Sequence, residues 1–131
     1  MKLIPEAYRD LVADETRAFA FLSTILEDGT PQVTPVWFNT ADEYSLINSA
    51  QGRVKDRNMR SRPQVAMVLM DLSNPYRYLQ IRGRVVDITT DGAADHFDAL
   101  SVKYTGKPRT RAADPNEVRV TYKIYPDRVV V

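Results

Sequence analysis

Apolar residues in this chain come in short bursts separated by turn-forming residues. Ala18 to Leu26 (AFAFLSTIL) is a nearly continuous apolar run whose length and flanks predict a buried strand. Glu27-Asp28-Gly29-Thr30 supplies a turn, and Pro31 to Phe38 (PQVTPVWF) runs back as a second strand. Pro35 inside that strand has no N–H to give to a ladder, which puts the strand at a sheet edge or makes it bulge. After a turn at Asn39 to Asp42, Glu43 to Asn48 reads as a third strand and Gln64 to Met70 as a fourth. Tyr76 to Thr89 alternates up to Arg82 and is then interrupted by Gly83, which marks a bend or bulge. Glu117 to Tyr125 alternates again, with Val118, Val120, Tyr122 and Ile124 on one face, before a turn at Pro126-Asp127.

Three stretches carry a helical pattern. Pro5 to Ala13 starts with proline at an early position, and Val54 to Arg60 is free of Gly and Pro and stops before Arg62-Pro63. Gly92 to Tyr104 places Ala93, Ala94, Phe97, Leu100 and Tyr104 on one amphipathic stripe, with His96 beside it. Six strands joined mostly by short turns, without regular βαβ alternation, predict a mainly β fold. The simplest arrangement is a six-stranded antiparallel barrel with peripheral helices, as one domain over residues 1–131.

Composition narrows the chemistry. The formal net charge of +1 gives no global field toward nucleic acid, so any basic site must be local. There is no cysteine, which removes disulfide and thiolate chemistry, and the single histidine excludes a multi-His metal site within one chain. No stretch is long enough to span a bilayer and the N-terminal residues lack an apolar signal core, so the chain reads as cytoplasmic, with no membrane partner. The carboxylates are scattered and form no acid pair for hydrolysis.

Ser49 to Pro63 (SAQGRVKDRNMRSRP) carries Arg53, Lys55, Arg57, Arg60 and Arg62 against the single acid Asp56. Such a run is either a solvated basic face or a phosphate site. For the latter, Arg53 and Lys55 fall at the helix start, where backbone N–H groups add to the charge and Gly52 permits close approach. Thr34 to Trp37 offers a hydroxyl, main-chain groups beside the bulge and a flat indole, or simply core packing. Tyr76 and Tyr78, flanking Arg77, suit a ligand cover, a dimer contact or cross-strand packing. His96 reads as a surface residue.

These pieces, in their order, resemble the flavin and deazaflavin oxidoreductases related to pyridoxamine 5′-phosphate oxidase. The resemblance rests on Asp28-Gly29-Thr30-Pro31, the TPVW strand from Thr34 to Trp37, and Arg53, Lys55 and Asn58 with Pro63. It continues through Arg82-Gly83-Arg84, Lys103-Tyr104-Thr105-Gly106 and Val118-Arg119-Val120. It implies an FMN-binding-type split barrel and a homodimer with cofactor sites at the subunit interface. The branch it is most similar to uses coenzyme F420, a deazaflavin, to pass a hydride to an electron-poor small molecule. The resemblance implies that Arg53 and Lys55 contact the cofactor phosphate, with Asn58 nearby, and that Thr34, Pro35, Val36 and Trp37 line its ring, with Asn48 and Ser49 adjoining. Tyr76 and Tyr78 would arrive from the partner subunit, and Lys107, Arg109 and Arg111 would meet the cofactor's acidic tail. Because the cofactor carries the chemistry, no catalytic side chain and no metal is assigned. An FMN-dependent oxidoreductase and a flavin carrier without turnover stay open as alternatives.

Overall fold

The computed structural model describes residues 3–109 and 115–131. Seven antiparallel strands form one sheet: β1 (Phe19–Ile25), β2 (Pro31–Val36), β3 (Phe38–Ala41), β4 (Tyr44–Ala50), β5 (Gln64–Asp71), β6 (Asn74–Thr89) and β7 (Arg119–Val130). Helix α1 (Val54–Ser61) links β4 to β5, and α2 (Ala93–Thr105) lies between β6 and β7. The predicted N-terminal helix is a pair of 3₁₀ segments, Glu6–Val12 and Asp14–Thr16, with Leu11 buried.

The sheet order is β2-β1-β5-β6-β7-β4-β3. Its two edge strands, β2 and β3, are consecutive in the chain with only Trp37 between them, so the sheet must curl until its edges meet at that residue. The curled sheet is a half-barrel, and the strand count is seven rather than six because the PQVTPVWF strand breaks at Trp37. Pro35 sits in edge strand β2 opposite Phe21, where its missing N–H costs no ladder bond. The core is filled from the inward positions of the strands: Ala20, Leu22, Phe38, Ile47, Met67, Leu69, Leu79, Ile81, Val120, Tyr122 and Ile124 are all at most 1% exposed.

The turn predicted at Pro126-Asp127 is absent. β7 continues through Pro126, which stands opposite Gly83 where the β6–β7 register shifts. A bend of this kind needs two backbones to come unusually close. A Cβ on Gly83 would lie 2.3 Å from the carbonyl oxygen of Tyr125. The Arg-Gly-Arg corner is therefore a packing requirement of the barrel.

Gly83→Ala is expected to cost about 1–3 kcal/mol, because backbone must move to admit the methyl group. Urea unfolding of the two chains checks this, and an unchanged midpoint would contradict the close approach.

Candidate functional site

The basic segment is fixed by its one acid. Asp56, whose side chain is 3% exposed, accepts hydrogen bonds from the Gly52 N–H (2.9 Å), Arg60 Nε (3.0 Å) and the Tyr122 hydroxyl. Burial raises the Asp56 pKa, but those three donors outweigh it and hold the carboxyl below its usual range. Tyr122 shows the converse: burial, then the neighbouring carboxylate, push its phenol far up. Gly52, with φ of +91°, makes the sharp turn that lets its N–H reach Asp56.

This anchoring divides the cations. Arg60 is committed to Asp56, and Arg57 Nη1 donates to the Gly52 carbonyl at 2.6 Å. Arg62 donates to the Ile25 carbonyl (2.8 Å) and to Asn58 Oδ1 (3.3 Å). Arg53 and Lys55 are left facing a cleft of about 500 Å³. The cleft is lined at one end by Phe19, Pro35, Val36, Trp37, Phe97 and Leu100. Its other end is Asn48, Ser49, Arg53, Lys55, Arg109, Glu117 and Arg119.

The apolar end is a stack of rings. Trp37 lies over Tyr104 with centroids 5.3 Å apart and planes 10° from parallel, and Tyr104 stacks in turn on Phe19 at 5.8 Å. The Tyr104 hydroxyl donates to the Ala18 carbonyl at 2.7 Å, and burial pushes its pKa up to about 12. Behind it the buried Lys103 ammonium donates to the Phe38 carbonyl at 2.6 Å and lies 4.1 Å from the Phe38 ring centroid. Burial lowers the Lys103 pKa, and Asp14 at 3.7 Å works against that shift. Tyr104 and Lys103 thus lock α2 to the point where the sheet edges meet.

The polar end holds four cations and one carboxylate, and three of the cations approach that carboxylate. Glu117 approaches Arg119 at 3.0 Å, Arg53 at 3.6 Å and Arg109 at 3.9 Å. Arg119 and Arg109 also lie over the Phe97 ring, at 3.8 and 4.7 Å from its centroid. Lys55 has its pKa lowered by burial first, then by the charges of Arg53 and Arg119. The Ser49 hydroxyl is buried and makes no hydrogen bond with any described residue. Like charges held together in this way are what an anion would complete.

Of the residues expected at the site, Pro35, Val36, Trp37, Asn48, Ser49, Arg53 and Lys55 line this cleft. Thr34 does not, and sits in β2 opposite Leu22. Asn58 turns away beneath α1, where it donates to Thr24 Oγ1 at 3.0 Å and accepts from Arg62, so its amide is already engaged. Tyr76 and Tyr78 are 91% and 43% exposed on β6, outside the cleft. Lys107 is exposed at the end of α2, Arg109 reaches the cleft, and Arg111 lies outside the described residues.

His96 is the main correction. It is not a surface residue: Nε2 is 2.9 Å from Asn39 Oδ1, and Nδ1 lies 3.0 Å from Thr121 Oγ1 and 3.1 Å from Asn48 Nδ2. The helix faces the sheet through Ala93, His96, Phe97, Leu100 and Tyr104, at successive spacings of three, one, three and four, and Ala94 is outside that stripe. Five further residues line the cleft without having been expected there: Phe19, Phe97, Leu100, Glu117 and Arg119. Arg119 and Glu117 are brought in by the strand register that sets Arg119 opposite Ala50. Among the described residues no cluster of His, Asp and Glu could hold a metal ion, and no helix is long and apolar enough to cross a membrane.

Residues 4–130 match the family model described as pyridoxamine 5′-phosphate oxidase. Among solved structures, one named F420 reductase is 35% identical with a TM-score of 0.85, covering 97% of this chain and 98% of its own. A conserved hypothetical protein from Mycobacterium tuberculosis is 24% identical, with a TM-score of 0.73 over 96% of this chain and 82% of that one. General stress protein 26 from Bacillus anthracis is 23% identical, with a TM-score of 0.67 over 95% and 89%. These last two show the fold alone. No curated protein matches the sequence.

Burial pulls the His96 pKa from 6.5 down to about 4. The unfolded chain therefore binds the extra proton between those values, and stability falls as pH drops from about 6.5 toward 4. The loss is at most about 3 kcal/mol. Urea unfolding across this window should show the slope in the native chain and a smaller slope in His96→Gln; equal slopes would place the effect elsewhere.

Proposed function

The chain belongs to the pyridoxamine 5′-phosphate oxidase family of split barrels, and from that premise we propose that it is a coenzyme F420-dependent oxidoreductase acting in the cytoplasm. The observation that carries the reading is the cleft itself, where cations outnumber carboxylates four to one beside a flat aromatic wall. The mutual repulsion of Lys55, Arg53 and Arg119 beside the flat wall fits a phosphate-bearing, planar group. The 35% identity to a structure named F420 reductase favours the deazaflavin over FMN.

In this reading Arg53 and Lys55 hold the phosphate through charge-assisted hydrogen bonds. Asn58 holds α1 in place from beneath and is no phosphate ligand. β2 pairs on one side only, so its open side offers main-chain groups of Val36 and Trp37 to the edge of a heterocycle. Trp37, Phe97 and Leu100 keep water from the ring face. When bound, the coenzyme supplies hydride transfer to an electron-poor small molecule; the side chains supply position and charge, and none of them is assigned as catalytic. A homodimer accounts for the exposed Tyr76 and Tyr78 and for Leu72, which is 60% exposed, as contacts offered to a second copy.

Arg53→Ala combined with Lys55→Ala is expected to weaken coenzyme F420 binding roughly ten- to hundred-fold for each charge-assisted bond removed, at about 1.5–3 kcal/mol per bond. Fluorescence titration measures this, and unchanged affinity would remove the phosphate assignment. Micromolar FMN binding with none for the deazaflavin would make the FMN-dependent alternative the better one. Cofactor bound but never reoxidised by any acceptor would leave a carrier. Sedimentation at micromolar concentration should give a dimer, and a monomer would undercut a shared site.

A further inference from the structure

His96 is half-buried between α2 and the sheet with both ring nitrogens engaged, and its partners select one tautomer. The Asn48 amide nitrogen, fixed as a donor by the Ala93 carbonyl, faces Nδ1 and makes it the acceptor, so His96 Nε2 carries the proton and donates to Asn39 Oδ1 at 2.9 Å. Nδ1 is then an acceptor, and it faces the Asn48 amide nitrogen at 3.1 Å and the Thr121 hydroxyl at 3.0 Å. The Asn48 amide nitrogen also donates to the Ala93 carbonyl at 2.9 Å, which fixes which way that amide points. Its oxygen must face the other way, and there it accepts from Arg119 Nε at 2.8 Å. Every donor and acceptor role along Asn39, His96, Asn48 and Arg119 is thereby determined.

The register explains why these groups meet. Asn48 lies directly opposite Thr121, and Arg119 is two residues from Thr121, so all three side chains share one face of the sheet. Asn39 pairs with Leu46, two residues before Asn48, and joins the same face. Helix α2 covers that face and delivers His96 into it. Of the four, only Asn48 and Arg119 line the cleft. His96 is not among the residues that line it, yet together with the Ala93 carbonyl it holds the amide whose oxygen holds the Arg119 guanidinium there.

We infer that His96 is a positioning residue: as the second partner of the Asn48 amide nitrogen, beside the Ala93 carbonyl, it steadies the amide whose oxygen holds the Arg119 guanidinium in the anion-binding end of the cleft. This deepens the reading of that cleft as a cofactor site and rests on it for its functional consequence. Arg119 is the cleft cation held from the sheet side, and without the Asn48 oxygen its Nε loses its partner. Its other hydrogen bond runs from Nη1 to Glu117, at 3.0 Å. A guanidinium tied only to that carboxylate presents less of its charge to an incoming anion.

The test compares His96→Phe, His96→Asn, Arg119→Gln and the double variant His96→Phe with Arg119→Gln, titrating each with coenzyme F420 and with FMN. His96→Phe keeps a ring of similar size and loses both nitrogens, and it should weaken binding between about two- and tenfold. His96→Asn restores an acceptor near the Nδ1 position and should recover part of that loss. The double variant should bind no more weakly than Arg119→Gln alone, because the histidine acts through that arginine. Independent factors that multiply in the double variant would show a merely structural histidine and overturn the inference. A cofactor-free readout runs beside it. The ¹⁵N-labelled Arg119 Nε–H should be protected from solvent exchange in the native chain and lose protection in His96→Phe. If that protection is unchanged, the inference fails even where the cofactor binds. If neither cofactor binds the native chain, the proposed function fails, and the Arg119 signal still decides the role of His96.

Discussion

A carboxylate taken out of water is costly unless several donors meet it, and Asp56 meets three. One comes from the turn before α1, one from α1 itself and one from the barrel strand β7. The carboxylate therefore ties the start of the helix to the barrel wall. It also decides which positive charges remain available. Arg57 folds back on Gly52, Arg60 is paired, and Arg62 braces the strand end at Ile25, while Arg53 and Lys55 point into the cleft. A basic run with no such anchor would have been a solvated face along its whole length.

The second constraint is topological. Because both sheet edges meet at Trp37, the half-barrel comes together there without a β2–β3 ladder, and the cleft opens beside the seam. The ring stack of Trp37, Tyr104 and Phe19 closes the seam with apolar surface, and Lys103 satisfies the Phe38 carbonyl exposed by the strand break. The fold alone would not name an activity. The pairing of a flat wall with clustered cations is what makes the seam complementary to a planar anion.

Much of this is legible in the sequence because it rests on local physics. Alternation and turn chemistry locate the strands, the missing N–H of Pro35 places β2 at an edge, and Gly83 announces the bend. The charge run with its leading glycine points to the helix start. What cannot be read depends on register. Nothing local tells that Arg119 stands opposite Ala50, or that Asn48 faces Thr121 beneath α2. His96 escapes for a related reason. A helical stripe centred on Ala94 and Phe97 leaves the histidine outside, and a shift of the packed face toward Ala93 takes it inside. Asn58 is the reverse case: the resemblance places it near the phosphate, and only the fold shows that Thr24 and Arg62 engage its amide.

The residue at the seam has a further property. Trp37 is the chain's single tryptophan, half-buried, stacked on Tyr104 and forming part of the cleft wall. All indole emission from one copy of the protein thus originates at one place, within touching distance of anything planar that enters. The molecule carries its own optical reporter, and no label has to be attached to watch the cleft fill and empty.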